Sequence, residues 1–168
     1  MWRPIIKASL DELDAFLRQE RWHGRENEIV NLYAHHFLTR QISPQGPLTE
    51  ASQIGIEVAV PQITGSRKKM VRKDLVIWPT PLMTAWSPGA VPSVIIEWKR
   101  DDWMATRRDI EWLATFTRIS PTTLGFAVCA VIREPRGIYY TEIKTGEITE
   151  QRHPANGLPL ALHTVADA

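Results

Sequence analysis

The sequence predicts an α/β protein with a mixed central sheet flanked by helices. Three observations carry this. Apolar residues recur at helical spacing in segments near 9–20, 25–39 and 102–118. Alternating or continuous apolar runs mark strands at 54–60, 71–78, 93–99, 124–132 and 137–143. The third and fourth strands are joined by a helical segment, as a parallel crossover requires, whereas the first three can form an antiparallel meander.

The elements follow in order. Ser9 and Glu12 read as a capping box, and Leu10, Leu13, Phe16 and Leu17 form one apolar face, so a helix is expected from Ser9 to Glu20. Trp22-His23-Gly24 breaks it. A second helix is expected from Arg25 to Thr39, with Ile29, Val30, Tyr33 and Phe37 on a stripe. Glu26 lies four residues before Val30 and seven before Tyr33, in the middle of that stripe, and Glu28 points the other way. A carboxylate on an inward face resists burial and needs a metal, a lysine or ordered water as partner.

Residues 43–52 form a Pro/Gly/Ser loop. Ile54, Ile56, Val58 and Val60 then alternate as in a half-buried strand, with Glu57 on the opposite face as a solvated residue or a spare acid. Residues 61–73 contain Arg67, Lys68, Lys69, Arg72 and Lys73 and no acid, a +5 segment expected at a hairpin tip. The strand at 71–78 is apolar except around Asp74. A proline loop leads to SVIIEWK at 93–99 and a helix from Asp102 to Arg118, with Ile110, Leu113, Ala114 and Thr117 inward. LGFAVCAVI at 124–132 reads as a central strand buried on both faces. A last strand, 137–143, precedes a Thr-Gly turn and an irregular tail from His153.

The chain has 168 residues, of which 43% are hydrophobic and 23% charged. This length is read as a single domain: a core of 25–143, an N-terminal helical extension of 1–24 and the tail 153–168. The net charge of +1 excludes a uniformly basic nucleic-acid coat, though not a local basic patch. The single cysteine, Cys129, excludes an internal disulfide framework and is expected to be an inert core thiol. Leu75–Ile96 is an uncharged run of 22 residues, long enough for a membrane span, but Pro79, Pro81, Pro88, Pro92 and Gly89 interrupt it. It reads instead as a strand, a loop and a strand. With no signal-peptide pattern at the N-terminus, a cytoplasmic protein without membrane insertion is expected.

The chemistry lies at the two ends of that run. Asp74 precedes it, and Glu97 and Lys99 close it. Residues two apart on a strand share a face, so Glu97 and Lys99 point together while Ile96 and Trp98 cover the other side. If the two strands pair, Asp74 approaches Glu97, and Glu26 can complete a group of carboxylates around one lysine. Such a group suits phosphodiester hydrolysis with magnesium or manganese: hard cations take oxygen ligands, and neighbouring carboxylates repel one another without a cation.

Glu26 on a first helix, Asp74 on a strand and Glu97-Trp98-Lys99 on the next resemble the signature of the PD-(D/E)xK nuclease superfamily, the restriction-endonuclease-like fold. Its core order, helix, three strands, helix, strand, is the one read here from Arg25 to Ile132. The resemblance implies a metal-dependent deoxyribonuclease in which Asp74 and Glu97 bind the metal and the carbonyl of Trp98 adds a ligand. Lys99 would assist the attacking water, and Glu26 would support the metal or the lysine. DNA is the implied partner, with RNA not excluded and a homodimer possible. The residue before Asp74 is Lys73, where the family pattern has proline.

Simpler readings stand beside these. Glu97 and Lys99 are also compatible with an exposed cross-strand ion pair. Glu26 suits the first turn of a helix for its dipole alone. The basic residues Arg67, Lys68, Lys69, Arg72 and Lys73, with Arg100, Arg107 and Arg108, are either solvated charges or phosphate contacts. His35 and His36 lack metal-ligand spacing. Among seven tryptophans, Trp78, Trp98 and Trp112 are expected in the core; Trp86 and Trp103 fit base stacking or packing. A catalytically inactive nucleic-acid-binding module of the same fold is the alternative function.

Overall fold

A computed structural model describes residues 1–63 and 69–153. Helices α1 (Arg3–Gln19) and α2 (Glu26–Leu32) precede strands β1 (Ile54–Pro61), β2 (Met70–Ile77) and β3 (Val94–Arg100). Helix α3 (Thr106–Ile119) then leads to β4 (Leu124–Val131), β5 (Gly137–Lys144) and β6 (Glu147–Arg152). The six strands form one mixed sheet in sequence order, with β3 and β4 parallel and every other pair antiparallel. The meander, the crossover through α3 and the doubly buried β4 are all observed as expected.

Alternation on β3 decides the layering. Val94, Ile96 and Trp98 pack with α1 and α2, while Ile95 packs with Ile110 and Leu113 of α3. The sheet is therefore buried on both faces at its centre, which is why its strands read as nearly continuous apolar runs. The uncharged run is the last three residues of β2, the proline loop and the first three residues of β3; among the described residues, no helix is long and apolar enough to cross a membrane.

Four local expectations are corrected. The first helix begins at Arg3, not Ser9: Pro4 occupies its first turn, where a missing N–H removes no helix hydrogen bond. Ser9 is no cap. It is fully buried, and its hydroxyl lies 2.8 Å from the Tyr33 hydroxyl.

The second helix does not run evenly to Thr39. After α2 the chain widens to a π-helical turn at Tyr33–Phe37 and tightens to a 3₁₀ turn at Leu38–Gln41. This change of pitch keeps Tyr33, Ala34, Phe37 and Leu38 all buried.

In β1, the expected single apolar face is split. Ile54 and Ile56 lie against the α1/α2 side, whereas Val58 packs with Val60, Val76 and Trp78. Glu57, between them, has φ of 52°, a left-handed conformation that turns the strand over. Finally, β6 was not expected, because EITEQR offers only Ile148 as an apolar residue. It is a polar edge strand tied to α1 by Lys7–Glu150 at 2.7 Å and Arg152–Asp11 at 2.6 Å.

Candidate active site

The site is built by a fork between β2 and β3. The two strands pair only at Leu75↔Ile96, Val76↔Ile95 and Ile77↔Val94. Beyond that point β2 stays with β1 as far as Met70, and β3 stays with β4 as far as Arg100. Asp74 and Glu97 are the first residues past the last pair.

A fork leaves β3 main-chain groups without a strand partner, and buried N–H groups must find one. Carboxylates supply it. Asp74 Oδ2 accepts from the Trp98 N–H at 2.7 Å, and Glu26 Oε2 accepts from the Arg100 N–H at 3.2 Å. The Asp74 N–H in turn lies 3.4 Å from Glu97 Oε2. Three of the predicted acids are thus fixed by the backbone of the fork itself. Asp74 and Glu26 line a small open cleft of about 70 Å³ with Asn27, Val30, Ile56 and Glu57.

Glu97 and Lys99 share the α3 face, as strand alternation predicts. Lys99 Nζ donates to the Trp98 carbonyl at 2.7 Å and pairs with Asp109 of α3 at 3.2 Å. Glu97 is buried and paired with the ammonium of Lys73, whose side chain is equally buried. This excludes the exposed ion pair as a reading of Glu97. The Trp98 carbonyl, the implied additional metal ligand, already accepts the bond from Lys99.

The electrostatics reflect crowding. Burial pushes Glu97 up to about 7, with Asp74 adding to the rise and Lys73 opposing it. Burial also raises Glu26, against the attraction of Lys99, and raises Asp109 against the same lysine. For Lys99, burial disfavours the charged form, but Asp109, Glu26 and Asp74 outweigh it and hold the ammonium above its ordinary range. Among the described residues, the carboxylates of Glu26, Asp74, Glu97 and Asp109 thus surround two ammonium groups, Lys73 and Lys99. Among the described residues, no three His, Cys, Asp or Glu side chains form a ready metal cage.

The basic residues separate into groups. Arg67 and Lys68 lie outside the described residues. Lys69 and Arg72 are exposed beside the fork, with Arg72 paired to the exposed Glu57 at 3.3 Å. Lys73 is corrected: it is buried against Glu97 and cannot touch a phosphate. Arg100 is also turned to the protein, donating to the Gly24 carbonyl at 2.8 Å and to Asp101 at 3.2 Å. On α3, Arg107 pairs with Glu111 at 3.5 Å and Arg108 is exposed.

Trp78 and Trp98 are buried, and Trp112 packs partly buried on Phe116. Trp103 is buried, so packing is its role. Trp86 is 81% exposed, but its loop joins the far ends of β2 and β3, away from the fork. Cys129 is buried, and burial pushes its thiol up to about 12, as expected for an inert core residue. His35 and His36 are exposed.

Two members of the site were missed. Asp109 lies four residues before Leu113, on the inward face of its helix, so the spacing test applied to Glu26 would also have found it. Lys73 lies in a basic run and shares strand parity with Leu75 and Ile77, which pack on the α1/α2 side, yet its own ammonium meets Trp112 on the α3 side, so neither charge nor parity signals its position. Comparison of the chain with protein-family models, with curated proteins and with solved structures finds no match.

Proposed function

We propose that this chain is a metal-dependent endonuclease with a restriction-endonuclease-like core of the PD-(D/E)xK type, hydrolysing phosphodiester bonds in DNA. The observation that carries the reading is the fork: β2 leaves β3 at Asp74 and Glu97, and Lys99 and Glu26 arrive at the same opening. A cytoplasmic setting accords with the lone buried thiol. A homodimer would present two such forks to the two strands of a duplex.

The donor set fits a hard divalent cation. Among the described residues the candidate ligand atoms at the fork are carboxylate oxygens, and the four carboxylates outnumber the two ammonium groups. Asp74 and Glu97 would hold magnesium or manganese, with Glu26 in support. Water and a substrate phosphate would complete the shell. When bound, the ion would polarise the phosphoryl group and acidify a coordinated water.

The protein's own contribution is positional. Asp74 and Glu26 are held by main-chain N–H groups, so their carboxylates are oriented before substrate arrives. Asp109 and the Trp98 carbonyl hold Lys99 Nζ in place and charged, ready to orient a water or stabilise charge growing on the phosphate. Of the described residues expected to contact phosphate, Lys69, Arg72 and Arg108 are exposed.

A second reading has an observation of its own. Glu97 is satisfied by Lys73 and Lys99 by Asp109, an arrangement that also suits a nucleic-acid-binding module that does not cut. Incubation with plasmid, linear and single-stranded DNA, in Mg²⁺ or in EDTA, separates the two. The nuclease reading expects Mg²⁺-dependent cleavage, reduced at least ~100-fold in both Asp74→Ala and Lys99→Ala. Cleavage that persists in both variants, or DNA binding without cleavage in any metal, overturns it.

A further inference from the structure

We propose that Lys73 is the resident counter-cation of Glu97, and that a divalent ion entering the fork must compete with its ammonium for that carboxylate. The inference rests on the nuclease reading of Glu97 as a metal ligand and gives Lys73 a role other than the phosphate contact expected of the basic run.

The geometry singles out Lys73. Its side chain and that of Glu97 are 6% and 7% exposed, so the pair is removed from solvent. The ammonium also sits 3.5 Å from the centroid of the Trp112 ring. That ring is locked in turn: its Nε1 donates to Gln62 Oε1 at 2.9 Å, and its face stacks on Phe116 at 4.9 Å. Lys73 is therefore clamped between a carboxylate and an aromatic face, as a flexible surface lysine is not. Leu75 and Ile77 pack on the α1/α2 side, so β2 changes face between Leu75 and Lys73, across from the left-handed Glu57 of β1. Lys73 turns toward α3, and the adjacent Asp74 turns toward the cleft it shares with Glu26.

A fixed ammonium has two opposed effects on a buried carboxylate. It offsets the cost of keeping Glu97 charged away from water, which stabilises the metal-free fold. It also neutralises the charge that would attract a second cation, so metal binds more weakly than the carboxylates alone would allow. Lys73 acts through Glu97 and is a positioning residue, not a catalytic one.

Calorimetric titration of MnCl₂ into wild type, Lys73→Met, Lys73→Arg and Asp74→Asn tests this, with circular dichroism and thermal melts in EDTA on each. Lys73→Met should melt earlier in EDTA yet bind Mn²⁺ about tenfold more tightly, the factor that corresponds to one pKa unit of electrostatic interaction. Lys73→Arg keeps the charge and should bind like wild type. Should Lys73→Met not fold, Trp112→Leu loosens the ammonium without removing it and should also tighten Mn²⁺. Mn²⁺ binding that is lost in Asp74→Asn but unchanged or weaker in Lys73→Met, or unchanged in Trp112→Leu if that substitution must stand in, overturns the competition and leaves the nuclease reading intact. Absence of Mn²⁺ binding by wild type overturns both.

Discussion

At Glu97, burial and charge act in opposite directions. Desolvation favours the neutral acid, while Lys73 favours the carboxylate, and the balance lies at about 7. The folded chain therefore holds this proton more tightly than the unfolded chain does. By linkage, the contribution of Glu97 to stability is fully present below the ordinary glutamate range and is lost as pH rises through about 7. Glu26 and Asp109 are shifted in the same direction and add to the trend. In EDTA, the melting temperature should fall between pH 5.5 and pH 8, and Glu97→Gln should flatten that fall. A wild-type profile that stays flat over this interval would show that Glu97 is ionised throughout.

At the scale of elements, the site depends on how closely α3 approaches the sheet, because α3 carries Asp109 and Trp112 to the fork. Gly125 of β4 sets that approach. A Cβ there would lie 3.2 Å from Leu113 Cδ2 and 3.3 Å from Leu113 Cβ. Gly125→Val adds two further methyl groups against the same leucine, whose Cβ no change of rotamer moves. Overpacking of this kind should cost about 1–3 kcal/mol in urea denaturation. Activity should fall beyond what the loss of stability explains, since Lys99 would lose its grip on Asp109.

The whole molecule presents a net charge near neutrality, yet the exposed cations Lys69 and Arg72 lie beside the fork and Arg108 on α3. DNA affinity should therefore fall with salt, and Lys69→Gln/Arg72→Gln should reduce the slope of log K against log salt by about 0.9 for each phosphate contact removed. Fluorescence anisotropy with a labelled duplex measures this. An unchanged slope would place the DNA on another face. Lys73→Met should leave this slope alone, because its ammonium is buried.

Strand and helix periodicity in the sequence alone determined the α/β class, five of the six strands and the inward placement of Glu26, because apolar spacing reports which faces are buried. The polar edge strand β6 carried too little apolar pattern to be read, and the left-handed turn at Glu57 that divides the apolar face of β1 has no signature in composition. Only the tertiary structure decided where β2 and β3 part, since a fork is a property of two strands and their neighbours together. It also decided the fate of Lys73. One-dimensional charge counting grouped this lysine with the surface cations Lys69 and Arg72; packing against Glu97 and Trp112 placed it inside. Position along a chain specifies which charges exist, and three-dimensional packing decides which of them solvent, or a phosphate, can reach.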